Sequence, residues 1–535
     1  MRIITLLLVA LNASDAMRLA PHRLKSGGGR LMALRGGRRG GGSSGLLSDY
    51  SAIEWAGEDV GEGFPATGRD ARHVKTHLDN YKLLDFSPLL NTASYVNVVA
   101  EREEEEVALS GLKVNIADQT IYPGSFKLHN DALNMLGDLW HLPKSASFDE
   151  YGCHAGACTV GSTEACLLAG LALKFRWRKW YAARHGLSES EVRSVYPNLV
   201  ISTMYQACWE KLFKYMDIEP HFVSPKVGEM VLRPEDVRAA VDDKTIGVVC
   251  ILGNHYSGHY DPVASVGEVL GELNRANGWQ VGIHVDAASG GFVMPFQPEE
   301  EVGLCDFRVP AVLSMSASGH KFGVSMCGTG WVLWRDRDDL SEHIAISVSY
   351  LGGKADSYTL NFSRPASGSA VQMYKFLRLG RDGYTKLCAS QMAVAAMIRR
   401  GLAEMLHTPT GRPLFTLLDA GDKGCLPVVA AQFNKELGLP YDSTDLQHVL
   451  SERHWYVGGY HMNFNHPLTE EKTPLFSDAD ADVAMFRVVV KANLSPMLAR
   501  DLIAAVRETC DFLERTGEAY QKLHAGAKSQ PFSSH

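Results

Sequence analysis

Short runs rich in apolar and β-branched residues alternate with helix-like runs in the middle of this 535-residue chain, and this alternation restricts the fold more than any other feature. The runs with strand character lie at residues 199–203, 246–252, 281–285, 311–316 and 330–334. The runs with helical periodicity lie at residues 163–182, 208–215 and 264–276. This alternation predicts βαβ units and a mainly parallel sheet covered on both faces.

The pattern changes on either side of this region. A core helix is predicted at residues 130–140, and the acidic run at 101–106 is typical of the solvated face of a helix or loop. Helices predominate from residue 369, and a strand at 485–490 and a helix at 496–514 follow. We therefore predict four parts, namely a leader at 1–48, an N-terminal segment at 49–110, a large domain at 111–375 and a small α+β domain at 376–535.

The charge distribution argues against one class of partner and marks the leader. The net charge is −8, but residues 1–48 contain eight basic residues and one acid, so the body is strongly acidic and a poor ligand for nucleic acid. The apolar run at 3–11 is too short to span a membrane and resembles a signal peptide, while the arginine- and glycine-rich residues 17–48 resemble a transit peptide. Plastid or secretory routing is expected. The alternative is a disordered extension of a cytoplasmic protein.

The ten cysteines lie singly in apolar runs, which is typical of buried thiols in a reducing compartment. Cys153, His154 and Cys158 are spaced closely enough to suggest a metal, but no second ligand pair at zinc spacing follows them. The sequence therefore predicts neither a disulfide framework nor a metal centre.

Three short motifs carry candidate chemistry. Gly161-Ser162-Thr163-Glu164 opens a predicted helix, where hydroxyls and free backbone N–H groups bind phosphate, although an ordinary helix cap explains the same residues. Asp286 ends a predicted strand, and ligands of parallel sheets bind at the carboxyl ends of strands. The alternatives for Asp286 are that it binds a metal together with His284, or that it is a structural carboxylate whose hydrogen bonds are made within the protein. Lys321 follows a Ser/Gly-rich turn, a place where a lone lysine is usually a surface residue.

Taken together, the three motifs predict pyridoxal 5′-phosphate (PLP) as a cofactor. A lysine in a partly buried, cation-crowded pocket has a lowered pKa, so Lys321 is suited to carry PLP as a Schiff base. A carboxylate at Asp286 facing the pyridine nitrogen would keep that nitrogen protonated and make the ring an electron acceptor. The small residues at 287–291 let the backbone approach a flat ring. No Gly-x-Ser-x-Gly motif lies at a predicted strand-to-helix turn, so the sequence does not support a serine hydrolase.

The chain resembles the pyridoxal-dependent group II amino-acid decarboxylases, and among them the glutamate decarboxylases of bacterial and plant type. The resemblance covers residues 85–515 and rests on the stretches at 161–165, 284–292, 316–323, 350–353, 361–365 and 377–384. It implies an α/β fold of the aspartate aminotransferase-like kind (fold type I), with a mainly parallel sheet in the large domain. It also implies a homodimer or higher homo-oligomer as the active unit.

The resemblance assigns roles to individual residues. The catalytic residues that it implies are Lys321, Asp286, His320 and Gln206. The cofactor-binding residues that it implies are Ser162, Thr163, Gln206, His255, Asp286, Ala288, His320, Lys321 and, from the second subunit, Ser363. The substrate-binding residues that it implies are Asn115, Asp118, Phe362 and Arg487. The sequence alone also indicates that Arg487 binds an anion, because a cation on an otherwise apolar strand needs an anionic partner.

The implied reaction is decarboxylation of L-glutamate to 4-aminobutanoate (GABA) and CO₂, with Lys321 or His320 as the proton donor to Cα. Two departures from the family pattern favour an alternative, which is the same chemistry on another acidic amino acid such as aspartate. A Thr-Phe pair at the substrate mouth aligns with Val99-Ala100, and His255 stands where the family has threonine.

Two further expectations follow. A non-catalytic scaffold is disfavoured, because the lysine, the aspartate and the phosphate hydroxyls are all present. Residues 523–535 contain neither tryptophan nor a sustained basic amphipathic pattern, so we expect no calmodulin-binding tail.

Overall fold

The computed structural model describes residues 63–65, 67–144, 148, 152–340, 344, 346–348, 355–421, 423–478 and 483–524. The predicted leader at 1–48, the stretch at 350–353 and nearly all of the predicted tail at 523–535 lie outside these residues. The chain forms two compact units, Met1–Asp85 and Phe86–His535. In the first unit, helix α1 (Ala71–Lys82) begins after Asp70, whose carboxylate accepts a hydrogen bond from the backbone N–H of Arg72 at 2.9 Å.

The second unit is built on a seven-stranded sheet in the order β1-β7-β6-β5-β4-β2-β3. The strands are β1 (Gly156–Val160), β2 (Asn198–Ser202), β3 (Glu219–Val223), β4 (Thr245–Ile251), β5 (Ile283–Asp286), β6 (Val312–Ala317) and β7 (Thr329–Trp334). The neighbours from β3 through β2, β4 and β5 to β6 are parallel, whereas β7 is antiparallel to both β6 and β1. The predicted mainly parallel sheet is confirmed.

Burial on both faces explains why these strands are continuous apolar runs in the sequence. Every residue of β2, β4, β5, β6 and β7 is buried. Strands of parallel sheets covered by helices are expected to have this composition. Each of the five predicted strands coincides with an observed strand to within two residues. Strands β1 and β3 were not predicted, because the first is made of small residues and the second begins Glu-Pro.

Helices cover the sheet and supply the connections between its strands. They are α2 (Arg102–Gly111), α3 (Pro123–Leu139), α4 (Gly161–His185), α5 (Glu189–Val192), α6 (Ala207–Met216), α7 (Pro234–Ala240), α8 (Val263–Asn277) and α9 (Glu299–Val302). Short 3₁₀ turns lie at Pro88–Leu90, Gly290–Phe292 and Met294–Phe296. The predicted helices at 163–182, 208–215 and 264–276 fall within observed helices, and the one predicted at 130–140 extends one residue beyond the end of α3.

The acidic run at 101–106 is only partly solvated, which corrects the prediction. Its neighbours on α2 are exposed, but Glu104 is buried and forms an ion pair of 2.6 Å with the buried Lys375. Because this pair joins α2 to the long helix α10 (Ser367–Ala403), the run contributes to packing as well as to solubility.

The C-terminal part contains a second sheet that helical periodicity did not reveal. Its strands, in the order β10-β11-β15-β12, are all antiparallel. The strands of this part are β10 (Phe415–Leu417), β11 (Val428–Phe433), β12 (Gly458–Met462), β13 (Phe464–Asn465), β14 (Lys472–Thr473) and β15 (Val483–Val489), and an earlier pair is β8 (Ile346–Val348) and β9 (Ala355–Ser357). The helices are α10, α11 (Ser443–Glu452) and α12 (Pro496–His524), with a 3₁₀ turn at Lys435–Leu437. Helices predominate over strands here, as predicted, and β15 and α12 were both predicted, whereas the other three strands of this sheet were not.

None of the helices in the described part of the chain is both long enough and apolar enough to cross a bilayer.

Candidate active site

The candidate site lies where parallel strands β5 and β6 end. Asp286 is the last residue of β5 and lies opposite Ser316 of β6, and Lys321 follows the end of β6 by four residues. The turn after β6 is tied to the turn after β5, because the N–H of Ser318 donates to the carbonyl of Ala288 at 3.1 Å. Lys321 Nζ donates to Ser289 Oγ at 3.2 Å. The expectation that Lys321 and Asp286 meet at one edge of the sheet is confirmed.

Asp286 is held in a defined orientation inside the protein. Its side chain is 3% exposed. Oδ2 accepts a hydrogen bond from the indole N–H of Trp209 at 2.8 Å, and Oδ1 accepts one from the backbone N–H of Ala288 at 3.1 Å. Trp209 lies in the first turn of α6, and Gln206 is the extended residue just before that helix, whose carbonyl accepts a hydrogen bond from the N–H of Trp209 at 3.0 Å.

Lys321 has the electrostatic environment of a nucleophilic amine. Burial lowers the pKa of its ammonium, and the nearby charge of Arg487 acts in the same direction, while Asp286 opposes both. The ammonium nitrogen lies 5.2 Å from the centre of the Tyr95 ring. A lysine with a lowered pKa has a larger fraction of free amine at neutral pH, which is the form that attacks a carbonyl.

The first turn of α4 forms a cradle beside Lys321. Gly161 has φ +71°, and its N–H donates to the carbonyl of Gly328 at 2.9 Å. Ser162 and Thr163 follow at the positively polarised start of this 25-residue helix and are half-buried. Glu164 turns away from the cradle, because its carboxylate accepts the backbone N–H groups of Val160 and Asn361, at 2.6 Å and 2.8 Å. The four-residue motif therefore supplies two hydroxyls and free N–H groups, and its acid is used elsewhere.

His320 lies against this cradle. Its Cε1 is 3.6 Å from the position that a Cβ on Gly161 would occupy. Nδ1 lies 2.8 Å from the carbonyl oxygen of Thr329, so Nδ1 carries the proton and Nε2 carries the lone pair. Burial, assisted by the charge of Lys321, lowers the pKa of His320 to about 4. His320 is therefore neutral at neutral pH and is a poor proton donor there.

A second cation joins the same group through Tyr95. Arg487, on β15, is buried and donates through Nη2 to the carbonyl of Ala93 at 2.6 Å and through Nη1 to the carbonyl of His255. Its guanidinium lies 4.8 Å from the centre of the Tyr95 ring, whose hydroxyl donates to the same His255 carbonyl at 2.9 Å. Burial raises the pKa of Tyr95 to about 12, so this ring is neutral. Sequence reasoning missed Tyr95, because nothing in residues 86–97 forms a periodic pattern.

This arrangement corrects the predicted position of the substrate mouth. Val99 and Ala100 are exposed, and the hydrogen bonds of Asn97 to the carbonyls of Val99 and Val324 hold this stretch at the surface. The residue that approaches Lys321 and Arg487 is Tyr95, the second member of a pair that lies five positions earlier. Ser94-Tyr95 supplies a hydroxyl followed by an aromatic ring, which is the type of pair that the resemblance led us to expect.

Asn115, Asp118 and Ser363 form a separate cluster. The amide of Asn115 donates to Asp118 Oδ2 at 3.2 Å and to Ser363 Oγ at 3.3 Å. The N–H of Ile116 donates to the carbonyl of Arg364 at 3.0 Å, so the two segments lie side by side. Phe362 is half-buried, and Ser363 is exposed. Among the described residues, the hydrogen bonds of Lys321 and Asp286 go to Ser289, Trp209 and Ala288 and not to this cluster.

Two thiols lie beside Asp286. The Sγ atoms of Cys166 and Cys208 and a carboxylate oxygen of Asp286 lie within 4.8 Å of one another, and in the described part of the chain they are the group whose spacing would suit a metal ion. Burial keeps the pKa of Cys166 well above its usual range. Because Asp286 faces the predicted cofactor position, we assign this group to the floor of that pocket. The sequence had singled out Cys153, His154 and Cys158 instead.

The donor set fits PLP. A buried carboxylate lies where a pyridine nitrogen needs an acid, a lysine with a lowered pKa lies beside it, and a helix N-terminus with two hydroxyls suits a phosphate. The hydroxyl of Ser318 is fully buried and has no hydrogen-bond partner among the residues that the structure describes. Such a group is an added sign of a polar ligand. Sequence reasoning missed this residue, although it stands three positions before Lys321.

The fold and the site together define a PLP-dependent enzyme of fold type I. The family model described as the pyridoxal-dependent decarboxylase conserved domain matches residues 89–408, and the chain belongs to this family. The chain is therefore a carbon–carbon lyase that uses pyridoxal phosphate, and its substrate is a small molecule of the amino-acid class.

Several relatives within this family are glutamate decarboxylases. The chain is 38% identical to "Glutamate decarboxylase beta" of Listeria innocua over 375 residues, which are 70% of this chain and 76% of that protein. It is 34% identical to "Glutamate decarboxylase" of Solanum lycopersicum over 434 residues, or 81% and 79% of the two chains. Among solved structures, the glutamate decarboxylase of Lactobacillus brevis matches with a TM-score of 0.74 and 34% identity, covering 86% of this chain and 96% of that one.

Proposed function

We propose that this chain decarboxylates L-glutamate to 4-aminobutanoate and CO₂. The observation that carries the proposal is the convergence of Lys321, Asp286 and Arg487 around one small space beside Tyr95. A cation separate from the lysine suits a substrate carboxylate, and the relatives named above are glutamate decarboxylases.

When bound, PLP supplies an electron sink for the pair released as the Cα–carboxylate bond breaks. The protein prepares this step in three ways. Lys321 offers an amine whose pKa is lowered by burial. Asp286, fixed by Trp209 and Ala288, holds a proton on the pyridine nitrogen. Arg487 attracts the substrate carboxylate and sets its orientation.

The proton that returns to Cα comes from Lys321 in this proposal. His320 was the other candidate, but its pKa of about 4 leaves it unprotonated at neutral pH. Burial lowers the pKa of Lys321, so this lysine gives up its proton more readily than an exposed lysine does. His320 serves the cradle instead, where it lies beside Gly161.

The test is product analysis with the full chain, PLP and a panel of amino acids. L-Glutamate is expected to yield 4-aminobutanoate, and L-aspartate, an aromatic amino acid and histidine are expected to yield little product. Lys321→Ala is expected to lose both turnover and the visible absorbance of the lysine-bound cofactor. Preferential turnover of L-aspartate would show that aspartate, the alternative substrate, is the correct one.

We also propose that the active unit is a homodimer in which the cluster around Ser363 completes the neighbouring subunit's site. Its exposure and its separation from the hydrogen bonds of Lys321 support this arrangement. Hybrids of Lys321→Ala and Ser363→Ala subunits, carrying different tags, are expected to contain one complete site and to exceed the activity of either parent. Hybrids no more active than Ser363→Ala alone would refute shared sites.

For residues 1–48 we propose a cleaved targeting leader, supported by the signal-like and transit-like composition. A fluorescent fusion to these residues is expected to enter a plastid or the secretory route, and N-terminal sequencing of the mature protein is expected to start near residue 48. A fusion that stays in the cytoplasm with its N-terminus intact would refute the leader.

A further inference from the structure

His255 is held at the tip of a rigid turn that follows β4. Gly253 and Gly258 bracket the turn with φ values of +92° and +79°, which favour glycine. The side-chain oxygen of Asn254 accepts the backbone N–H groups of Tyr256 and Ser257, at 3.1 Å and 2.9 Å. The side chain at position 255 is therefore presented by a backbone that has little freedom to move it.

The backbone of His255 is already part of the site. Its carbonyl oxygen accepts hydrogen bonds from the hydroxyl of Tyr95 and from Nη1 of Arg487. The guanidinium thus rests on two backbone carbonyls, one of them that of His255. A substrate carboxylate that binds this guanidinium therefore arrives next to position 255.

The imidazole of His255 has unused hydrogen-bonding capacity in this place. Its ring packs against the ring of Tyr256 with 3.7 Å between centroids, and Nδ1 is buried without a hydrogen-bond partner. A buried polar atom that is left unpaired costs about 1–3 kcal/mol. A ligand oxygen that pairs with this ring would remove that cost.

The charges around His255 select the kind of ligand. Burial lowers its pKa well below the usual value, and the cations Arg487 and Lys321 lower it further, so the imidazole is neutral. The neighbouring hydroxyls of Tyr95, Tyr256 and Tyr460 are neutral too, because burial raises the pKa of each. The space beside the ring therefore contains two cations and neutral donors, which suits an anion.

We propose that His255 binds the substrate, its imidazole N–H donating to the carboxylate that Arg487 attracts, with the imidazole ring turning to present that N–H. The resemblance had placed His255 among the cofactor contacts and had noted a threonine at this position in the family. The inference rests on the proposed glutamate decarboxylation and deepens it, because it names a second donor for the substrate carboxylate.

The test compares His255→Ala and His255→Gln with the wild-type holoenzyme. For His255→Ala we expect the KM for L-glutamate to rise about 10- to 100-fold, as for a lost hydrogen bond to a charged group, with kcat changed by less than about threefold. His255→Gln keeps a donor at similar reach and is expected to recover most of the KM. The affinity of the apoprotein for PLP, measured by absorbance titration, is expected to stay unchanged in both variants.

His259→Asn is the matched control. His259 lies in the same turn, but its Nδ1 already pairs with Ser257 Oγ at 2.7 Å, and asparagine offers polar atoms at a similar position. Its KM is expected to stay at the wild-type value. An unchanged KM in His255→Ala, or a loss of PLP affinity equal to the rise in KM, would overturn the proposal. A wild-type enzyme without activity on L-glutamate would instead refute the proposed function.

Discussion

Replacing Asp286 by asparagine tests the centre of the site, because the two side chains have the same shape and different hydrogen-bonding capacity. The carboxylate accepts one N–H on each oxygen, from Trp209 at 2.8 Å and from Ala288 at 3.1 Å. Asparagine has one acceptor oxygen and one NH₂ donor. Whichever way the amide is turned, one of the two N–H groups faces another donor.

The structure allows the free-energy cost of Asp286→Asn to be estimated. One hydrogen bond to a charged group is lost, at about 1.5–3 kcal/mol, and the unpaired donor adds about 1–3 kcal/mol because the site is buried. Asp286→Asn also removes the anion that would hold a proton on the pyridine nitrogen. We therefore expect PLP affinity to fall about 10- to 100-fold. Turnover at saturating PLP should fall by at least about 100-fold, as when a group that stabilises developing charge is removed.

The assay needs a control that separates folding from cofactor binding, and Asp261→Asn provides it. Asp261 is also buried and accepts two backbone N–H groups, from Leu232 at 2.8 Å and from Ile251 at 2.6 Å. Both variants are expected to melt at a lower temperature than the wild type. Only Asp286→Asn is expected to lose PLP affinity in an absorbance titration of the apoprotein. Wild-type PLP affinity in Asp286→Asn, or an equal loss in Asp261→Asn, would show that Asp286 does not face the cofactor.

Three further predictions concern the cradle, a buried lysine and a buried ion pair. In Gly330→Ala, the new Cβ would lie 2.3 Å from the carbonyl carbon of Gly161, and the displaced helix start is expected to weaken PLP binding by about tenfold or more in the same titration. Lys491 is buried without a partner, and burial lowers its pKa to about 8. Lys491→Met should therefore raise the free energy of unfolding at pH 7, with a gain that shrinks as the pH rises from about 8 towards 10.5 in urea titrations. Glu104→Gln leaves Lys375 with only the more distant carboxylate of Glu101, at 4.0 Å, and should cost up to about 3–5 kcal/mol in the same measurement. A loss under about 1 kcal/mol would contradict a buried pair.

The part of the fold that holds the cofactor residues could be predicted because its sequence signals are local. Buried parallel strands are short apolar runs, and each run ends at a residue with a distinct chemical character. Asp286 ends one such strand, and Lys321 follows the next. Once the strands were placed side by side, the carboxyl ends had to share an edge, so the meeting of these two residues needed no knowledge of distant contacts.

The rest of the site could not be predicted, because it depends on contacts between distant parts of the chain. Tyr95 reaches Arg487 and His255 from an irregular segment whose sequence carries no period. The small antiparallel sheet was not predicted, because β10 and β12 are short and only partly buried. Alignment by sequence placed the mouth at Val99, which the structure leaves at the surface.

The balance of charge in the site gives an independent argument for the substrate class. Lys321 and Arg487 are two cations close to the same tyrosine ring, and Asp286 supplies the anion at the floor. Buried charges are stable only when they are paired, and among the described residues the arginine donates its hydrogen bonds to backbone carbonyls. The carboxylate of an amino-acid substrate corrects this imbalance. The neutral His255 adds a donor without adding a charge, so the site gains from binding a substrate that carries a carboxylate.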